Sequence, residues 1–320
     1  MPQQAVLGSL FKSAAKSDLR YMIRKPPIRR FGVAELYGHS LAHLAPSEVR
    51  RLAVASHVEQ QCPFRGATCR KKNGVCSLRL YDASENNGEG TPADAALVSV
   101  CPERFKEAGT VPKWIGKILL GTDSPAVVGE VEFLQGETEE DDEQGEHVGR
   151  IDNILVRLDT SPLVWCAVEL QAVYFSGPGM TSQLKAFSSW RGPGVPFPDK
   201  VRRPDYRSSG PKRLMPQLQT KVPTLRRWGK KMAVLTDRSF FENMGTMEVV
   251  PDVSNCDIVW FVVDYEWTGS SYRLVPFECY FITLERAIEG LIAGDPVALP
   301  EFERRIMEKL NPLPKKGRAR

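Results

Sequence analysis

The runs Arg150-Ile151-Asp152-Asn153-Ile154-Leu155-Val156-Arg157-Leu158 and, after a polar break, Leu163-Val164-Trp165-Cys166-Ala167-Val168-Glu169-Leu170-Gln171-Ala172-Val173-Tyr174-Phe175 decide the fold class. Both are rich in β-branched and aromatic residues, and they read as consecutive strands. In the second, Cys166, Val168 and Leu170 point one way, while Ala167, Glu169 and Gln171 point the other. A third strand is expected just upstream, over Ala126 to Leu134, which makes a three-stranded meander.

Outward from this meander the pattern changes. Val111 to Leu120 reads as a short helix, and Pro46-Ser47-Glu48 opens another in which Ser47 can cap and Val49, Leu52 and Ala53 fall at helical spacing. Gly192 to Pro211 is a long polar loop, and Pro223 to Gly229 reads as a helix end. Lys231 to Leu235 and Ile258 to Tyr265 are further strands. Helices alternating with such strands predict an α/β or α+β core. The expected division is a basic arm with helices over residues 1–60, a cysteine-bearing module over 61–105 and the core over 106–320.

Composition bounds the function class. The chain has 320 residues, 42% of them hydrophobic and 26% charged, which excludes a disordered or collagenous protein. No apolar run approaches the roughly 18–20 residues of a transmembrane helix, so no membrane partner is expected. Seven cysteines are too few, and odd in number, for a disulfide scaffold, and no secretory leader is evident, so a cytoplasmic location is expected. Net charge is +4, but seven of the 39 acids lie between Glu137 and His147. The other 32 acids face 43 bases, a net +11 on the rest of the chain. That polarity suits a polyanionic partner. Eleven bases against the single acid Asp205 lie between Lys200 and Lys231, and seven lie in the first 34 residues. The acidic run reads as a surface loop between the first two strands of the meander.

Two constellations carry chemistry. Cys62, Cys69, Cys76 and Cys101 fall within forty residues, separated by polar, turn-forming sequence with little apolar material of its own. Four thiolates suit one tetrahedral Zn²⁺ or Fe ion, whose binding would supply folding free energy; buried free thiols are the plainer alternative. The second constellation is Asp152 at the start of one strand with Glu169 and Gln171 on the next. Two carboxylates and an amide around one point suit Mg²⁺-dependent phosphodiester hydrolysis, in which the cation activates water and neutralises charge on the phosphate. Glu130 could add a carboxylate from the preceding strand, with Glu132 sharing its face. The alternative is a set of polar residues facing outward on a half-buried strand.

Taken together, these residues resemble the NotI-type restriction endonucleases, which include EagI-like enzymes. Cys62-Pro63-Phe64, Cys69, Gly74-Val75-Cys76-Ser77 and Val100-Cys101-Pro102-Glu103-Arg104 are similar to that family's four-cysteine clip. Gly129-Glu130-Val131, Val148-Gly149-Arg150, Asp152, Leu155-Val156-Arg157 and Glu169-Leu170-Gln171 are similar to its PD-(D/E)-x-K-type catalytic core, and Lys212-Arg213-Leu214-Met215-Pro216-Gln217 continues the match. The similarity runs discontinuously from about residue 31 to about 245 and is faint beyond.

The resemblance implies a mixed β-sheet flanked by helices, a structural iron held by the four cysteines, and a homodimer. It also implies Mg²⁺-dependent cleavage of double-stranded DNA at a GC-rich palindrome by a type II enzyme, with a cognate DNA methyltransferase in the same bacterial system. By it, Asp152 and Glu169 ligate Mg²⁺, Gln171 stands where lysine is commoner, and Glu130 is the added carboxylate. The acidic loop is longer than the family pattern and leaves Glu132 as an alternative for that role. Two other readings remain: a repair or recombination nuclease on the same core, and a non-catalytic DNA-binding protein with a four-cysteine metal site.

Overall fold

The structure is a computed structural model describing residues 28–84, 88–133, 149–292, 294 and 297–310. The acidic run Glu137–His147 and the arm bases up to Lys25 lie outside the described residues. Arg29 and Arg30 do not continue an arm: they open a strand.

The chain begins with strands β1 (Arg29–Leu36) and β2 (His39–Ser40), helix α1 (Pro46–Val54), and strands β3 (Gln61–Cys62), β4 (Ala67–Thr68), β5 (Val75–Ala83), β6 (Glu89–Pro92) and β7 (Val98–Ser99). Helix α2 (Thr110–Ile115) leads into β8 (Ala126–Glu132), β9 (Arg150–Arg157) and β10 (Val164–Leu170). Then come β11 (Phe175–Ser176), α3 (Thr181–Ser189), β12 (Val195–Pro196), β13 (Arg203–Pro204), α4 (Tyr206–Ser209) and α5 (Met215–Arg227). The chain continues through β14 (Met232–Asp237), α6 (Arg238–Glu242), β15 (Ile258–Trp267), β16 (Tyr272–Ile282), α7 (Leu284–Ile292) and α8 (Leu299–Leu310).

The core sheet runs β16-β15-β14-β10-β9-β8 and is mixed. Strands β8, β9 and β10 form the expected antiparallel meander, while β14 is parallel to both β10 and β15. A parallel return needs a crossover, and α5 supplies it between β10 and β14. Both faces of the sheet are covered. On one, Ala167, Met232, Val234 and Trp260 pack against Leu218, Val222 and Leu225 of α5 and Leu284, Ala287 and Leu291 of α7. On the other, Cys166, Val168, Leu235 and Phe261 pack against Phe105, Val111 and Ile115. This burial on both faces explains the near-continuous apolar runs of β14 and β15.

A second sheet runs β12-β6-β5-β1-β2, with β7 beside β5. Its core joins Val33, Leu36 and Leu78 to Val49 and Leu52 of α1 and to Cys62 and Cys69. Because β1 pairs along β5, residues on either side of position 60 share one sheet. Gly74 sits at φ +63°, and a Cβ there would lie 2.0 Å from the Tyr37 ring, so the turn before Cys76 accommodates only glycine.

Three local expectations change. Helix α1 starts at Pro46, and Ser47 caps nothing; the cap position is Ala45, without a side-chain hydrogen bond. The third meander strand stops at Leu170, and Phe175–Ser176 pairs instead with Arg203–Pro204. The loop expected over 192–211 carries the short elements β12, β13 and α4, whereas α5 does end within the expected segment 223–229.

Candidate functional site

Strand register builds the site. In the β9–β10 hairpin Asn153 is opposite Val168, so the next antiparallel positions bring Asp152 beside Glu169. In the β8–β9 ladder Gly129 is opposite Asn153 and Val131 is opposite Ile151, which places Glu130 across from Asp152. Cross-strand neighbours share a face, so Glu130, Asp152 and Glu169 form one row across three strands. Glu132 falls opposite Arg150 instead. The seventeen-residue step from Asp152 to Glu169 is therefore the length of one hairpin. Like charges side by side are unfavourable on a sheet, so such a row needs cations to hold it.

Two cations do so. Arg150 donates from Nη1 to Glu130 at 2.8 Å and from Nη2 to Glu132 at 3.0 Å. Lys221, from the middle of α5, places its Nζ 2.8 Å from Glu169 Oε2 and 4.0 Å from Asp152 Oδ1. Lys221 is 1% exposed and Glu169 is 7% exposed. Asp152 remains open to solvent. Burial pushes the Glu169 carboxyl up to about 7; the neighbouring Asp152 charge adds to the shift and Lys221 opposes it. Gln171 is also buried, and its Nε2 donates to the Ala172 carbonyl at 2.6 Å.

All four predicted residues, Glu130, Asp152, Glu169 and Gln171, line one open cleft of about 520 Å³. Lys71, Lys72, Val75, Val100 and Pro102, from the N-terminal part of the chain, also line it. Arg213 borders it with its guanidinium stacked 3.7 Å over Tyr174. Gln217, one turn before Lys221, turns a buried amide oxygen without a hydrogen-bond partner toward the same region. Sequence reasoning assigned no site role to Lys221, counted only within the basic run, or to Gln217, carried only as the last residue of a matched stretch. The available signal for Lys221 was its place among Leu218, Val222 and Leu225, where an apolar residue is expected.

The hard oxygen donors of Asp152 and Glu169 suit a divalent cation. Among the described residues, the two carboxylates have one ammonium, Lys221, within ion-pair distance, so an open cleft remains on the Asp152 side where a cation can be met. The donor set therefore fits, with Glu130 turned to Arg150. Cys62, Cys69, Cys76 and Cys101 are all free and buried. Burial raises the thiols of Cys69, Cys76 and Cys101; Cys62 opposes ionisation of Cys69 and Cys101, and Cys101 opposes that of Cys76. The four thus lie close enough to act on one another, and as soft donors they suit Fe or Zn. Among the described residues, no three His, Cys, Asp or Glu side chains are already placed to hold a metal ion.

The run Lys200–Lys231 does not form one basic face. Arg202 is buried, with its guanidinium on the carbonyls of Pro178 and Gly179 and on Gln183. Arg226 pairs with Asp257 and Glu285, and Lys231 donates to the carbonyls of Ser254 and Cys256. Part of that positive charge is therefore engaged by groups of the protein itself. Among the described residues, no helix is long and apolar enough to cross a membrane.

A mixed sheet that sets carboxylates in a row along a cleft also lined by Lys71, Lys72, Arg150 and Arg213 suits a hydrolase acting on a polyanion. The family model described as restriction endonuclease NotI matches residues 48–274, well over half of the chain and past the limit near 245 that motifs alone reached. The chain belongs to the NotI restriction endonuclease family: it is a deoxyribonuclease, and DNA is its substrate. No curated protein matched it in a separate comparison.

Proposed function

We propose that this restriction endonuclease is a type II enzyme with a PD-(D/E)-x-K-type core, cutting both strands of a GC-rich palindrome with Mg²⁺. The observation that carries the catalytic part is the row Glu130–Asp152–Glu169 at the cleft, set by the strand register. Asp152 and Glu169 would hold the cation, Glu130 is the added carboxylate, and Gln171 sits beside them. When bound, the cation supplies Lewis-acid polarisation of the phosphate and a water activated for in-line attack. Asp152, exposed at the cleft, meets the incoming phosphate side, and Glu169 anchors the buried side. The GC-rich target, the homodimer and the cognate methyltransferase rest on the family resemblance; a two-fold dimer with two such sites matches the symmetry of a palindrome.

Cys62, Cys69, Cys76 and Cys101 are proposed to hold one structural Fe or Zn within residues 61–105, between the basic segment 1–60 and the core 106–320. The burial of all four thiols supports this reading. A bacterial cytoplasmic location accompanies the assignment. Family membership argues against a non-catalytic DNA-binding protein. The repair or recombination nuclease differs in cutting without a fixed site.

The test is digestion of a mixed DNA library with Mg²⁺ followed by sequencing of the ends, for wild type, Asp152→Ala and Glu169→Ala. The expected result is one palindromic site for wild type and loss of cleavage in both variants, with DNA binding retained. Cleavage by either variant overturns the site assignment; ends without a common sequence overturn the type II reading.

A further inference from the structure

Lysine is out of place at position 221. Leu218, Val222 and Leu225 form the core-facing stripe of α5, and Lys221 lies within that stripe at 1% exposure. An ammonium taken there loses its hydration, a cost that must be offset by close opposite charge. Glu169 and Asp152 provide it, at 2.8 and 4.0 Å. A methionine would fill the same space without that cost, so the charge itself is what the position supplies.

The neighbouring groups show why the charge is wanted. Two carboxylates meet at the β9–β10 end, and the strand residue two positions beyond Glu169 is Gln171, neutral and hydrogen-bonded to the Ala172 carbonyl. Of the other cations at the cleft, Arg150 is engaged by Glu130 and Glu132, Lys71 donates to the Val100 carbonyl at 2.7 Å, and Arg213 lies on Tyr174. Among the described residues, Lys221 is the one cation in ion-pair reach of either Asp152 or Glu169. We infer that Lys221 is a positioning residue for DNA cleavage: from helix α5 it balances the charge of the Asp152–Glu169 pair and fixes the Glu169 carboxylate.

This inference rests on the reading of Asp152 and Glu169 as the hydrolytic pair. A unit positive charge within about 4 Å of a cation site repels the cation, so its removal tightens metal binding while the carboxylate loses its anchor. The experiment measures Mn²⁺ binding to the full-length, DNA-free protein by calorimetry and, separately, the single-turnover cleavage rate at saturating Mn²⁺ or Mg²⁺. Lys221→Met is expected to bind Mn²⁺ on the order of tenfold tighter and to cleave on the order of a hundredfold slower. Lys221→Arg is expected to keep wild-type Mn²⁺ affinity and to recover part of the rate. A purely structural lysine would lower Mn²⁺ affinity and cleavage together through misfolding, and that result overturns the inference. Unchanged or weaker Mn²⁺ affinity in folded Lys221→Met also overturns it, as does cleavage within a few-fold of wild type. Should Lys221→Met not fold, Lys221→Arg decides: wild-type Mn²⁺ affinity with recovered cleavage supports the inference, and any other result overturns it. Asp152→Ala and Glu169→Ala in the same assays keep the two readings apart. If either still cleaves, the hydrolytic pair is wrong; if both are dead while Lys221→Met is silent, only the role of Lys221 fails.

Discussion

Glu169 is pulled in two directions. Burial and the Asp152 charge favour its neutral form, and Lys221 favours the carboxylate; the balance leaves it at about 7, above its ordinary 4.5. Asp237 behaves alike for a related reason. It is fully enclosed, and burial takes it from 3.8 to about 7 even though it accepts hydrogen bonds from the Ser99 and Phe240 amides. A carboxyl whose value is higher in the folded than in the unfolded state binds its proton more tightly on folding. Its stabilising contribution is complete below the unfolded value and is lost as pH rises through the folded one. Melting of the metal-free protein should therefore fall in temperature between about pH 5 and about pH 8. In Glu169→Gln the overall level drops, because Lys221 loses its partner, but the slope should become shallower by a few degrees across that window. It should not vanish, since Asp237 titrates in the same range. A slope identical to wild type would show that Glu169 is already ionised in the folded protein.

At the scale of elements, one buried arginine ties the two sheets together. Arg104, fully buried, bonds Glu35 of β1 at 2.9 Å and Glu107 at 2.6 Å, and donates to the Tyr272 carbonyl of β16 at 2.8 Å. Its guanidinium also stacks on Phe64 and Tyr265. Breaking a buried pair leaves an uncompensated charge, so Glu35→Gln or Arg104→Met should each cost about 3–5 kcal/mol in denaturant unfolding. The double variant should cost less than the sum of the two. An additive double would mean that the two residues stabilise independently. Little of this junction could be read in advance. The meander was legible because alternation over Val164–Leu170 reports which face is buried, and its hairpin spacing placed Asp152 beside Glu169. The choice between Glu130 and Glu132 needed the register of β8 against β9, which the length of the intervening acidic sequence hides from spacing. Helix α5 was legible only at its end, because Pro216 and Pro223 interrupt the pattern while its core stripe carries a lysine. Lys221 was counted as one more base in a basic run, since charge density along the chain does not say which side chains turn inward.

For the whole molecule, the cleft explains why a small second sheet accompanies the nuclease core. The carboxylate row lines it together with residues of the cysteine-bearing segment, where Lys71 and Lys72 precede β5. DNA lying in the cleft would touch both parts at once. The charge available to it is smaller than the overall composition suggests, because Arg202, Lys221 and Arg226 are consumed by the fold. Arg65 is also engaged, with Glu103 at 3.6 Å. Lys72 differs: it is exposed and lines the cleft. A lysine in that place reads phosphate and not sequence, since its ammonium is a point charge without the paired geometry that base recognition needs. Lys72→Ala should thus weaken binding to specific and random duplexes by the same factor, and should reduce the slope of log affinity against log salt by about 1. Cleavage at saturating DNA should stay at the wild-type rate, because the substitution leaves Asp152, Glu169 and Lys221 in place. Titration of both duplexes across a salt series separates the outcomes. A loss confined to the specific site would make Lys72 a base-reading residue, and an unchanged slope would place the DNA on another face of the molecule.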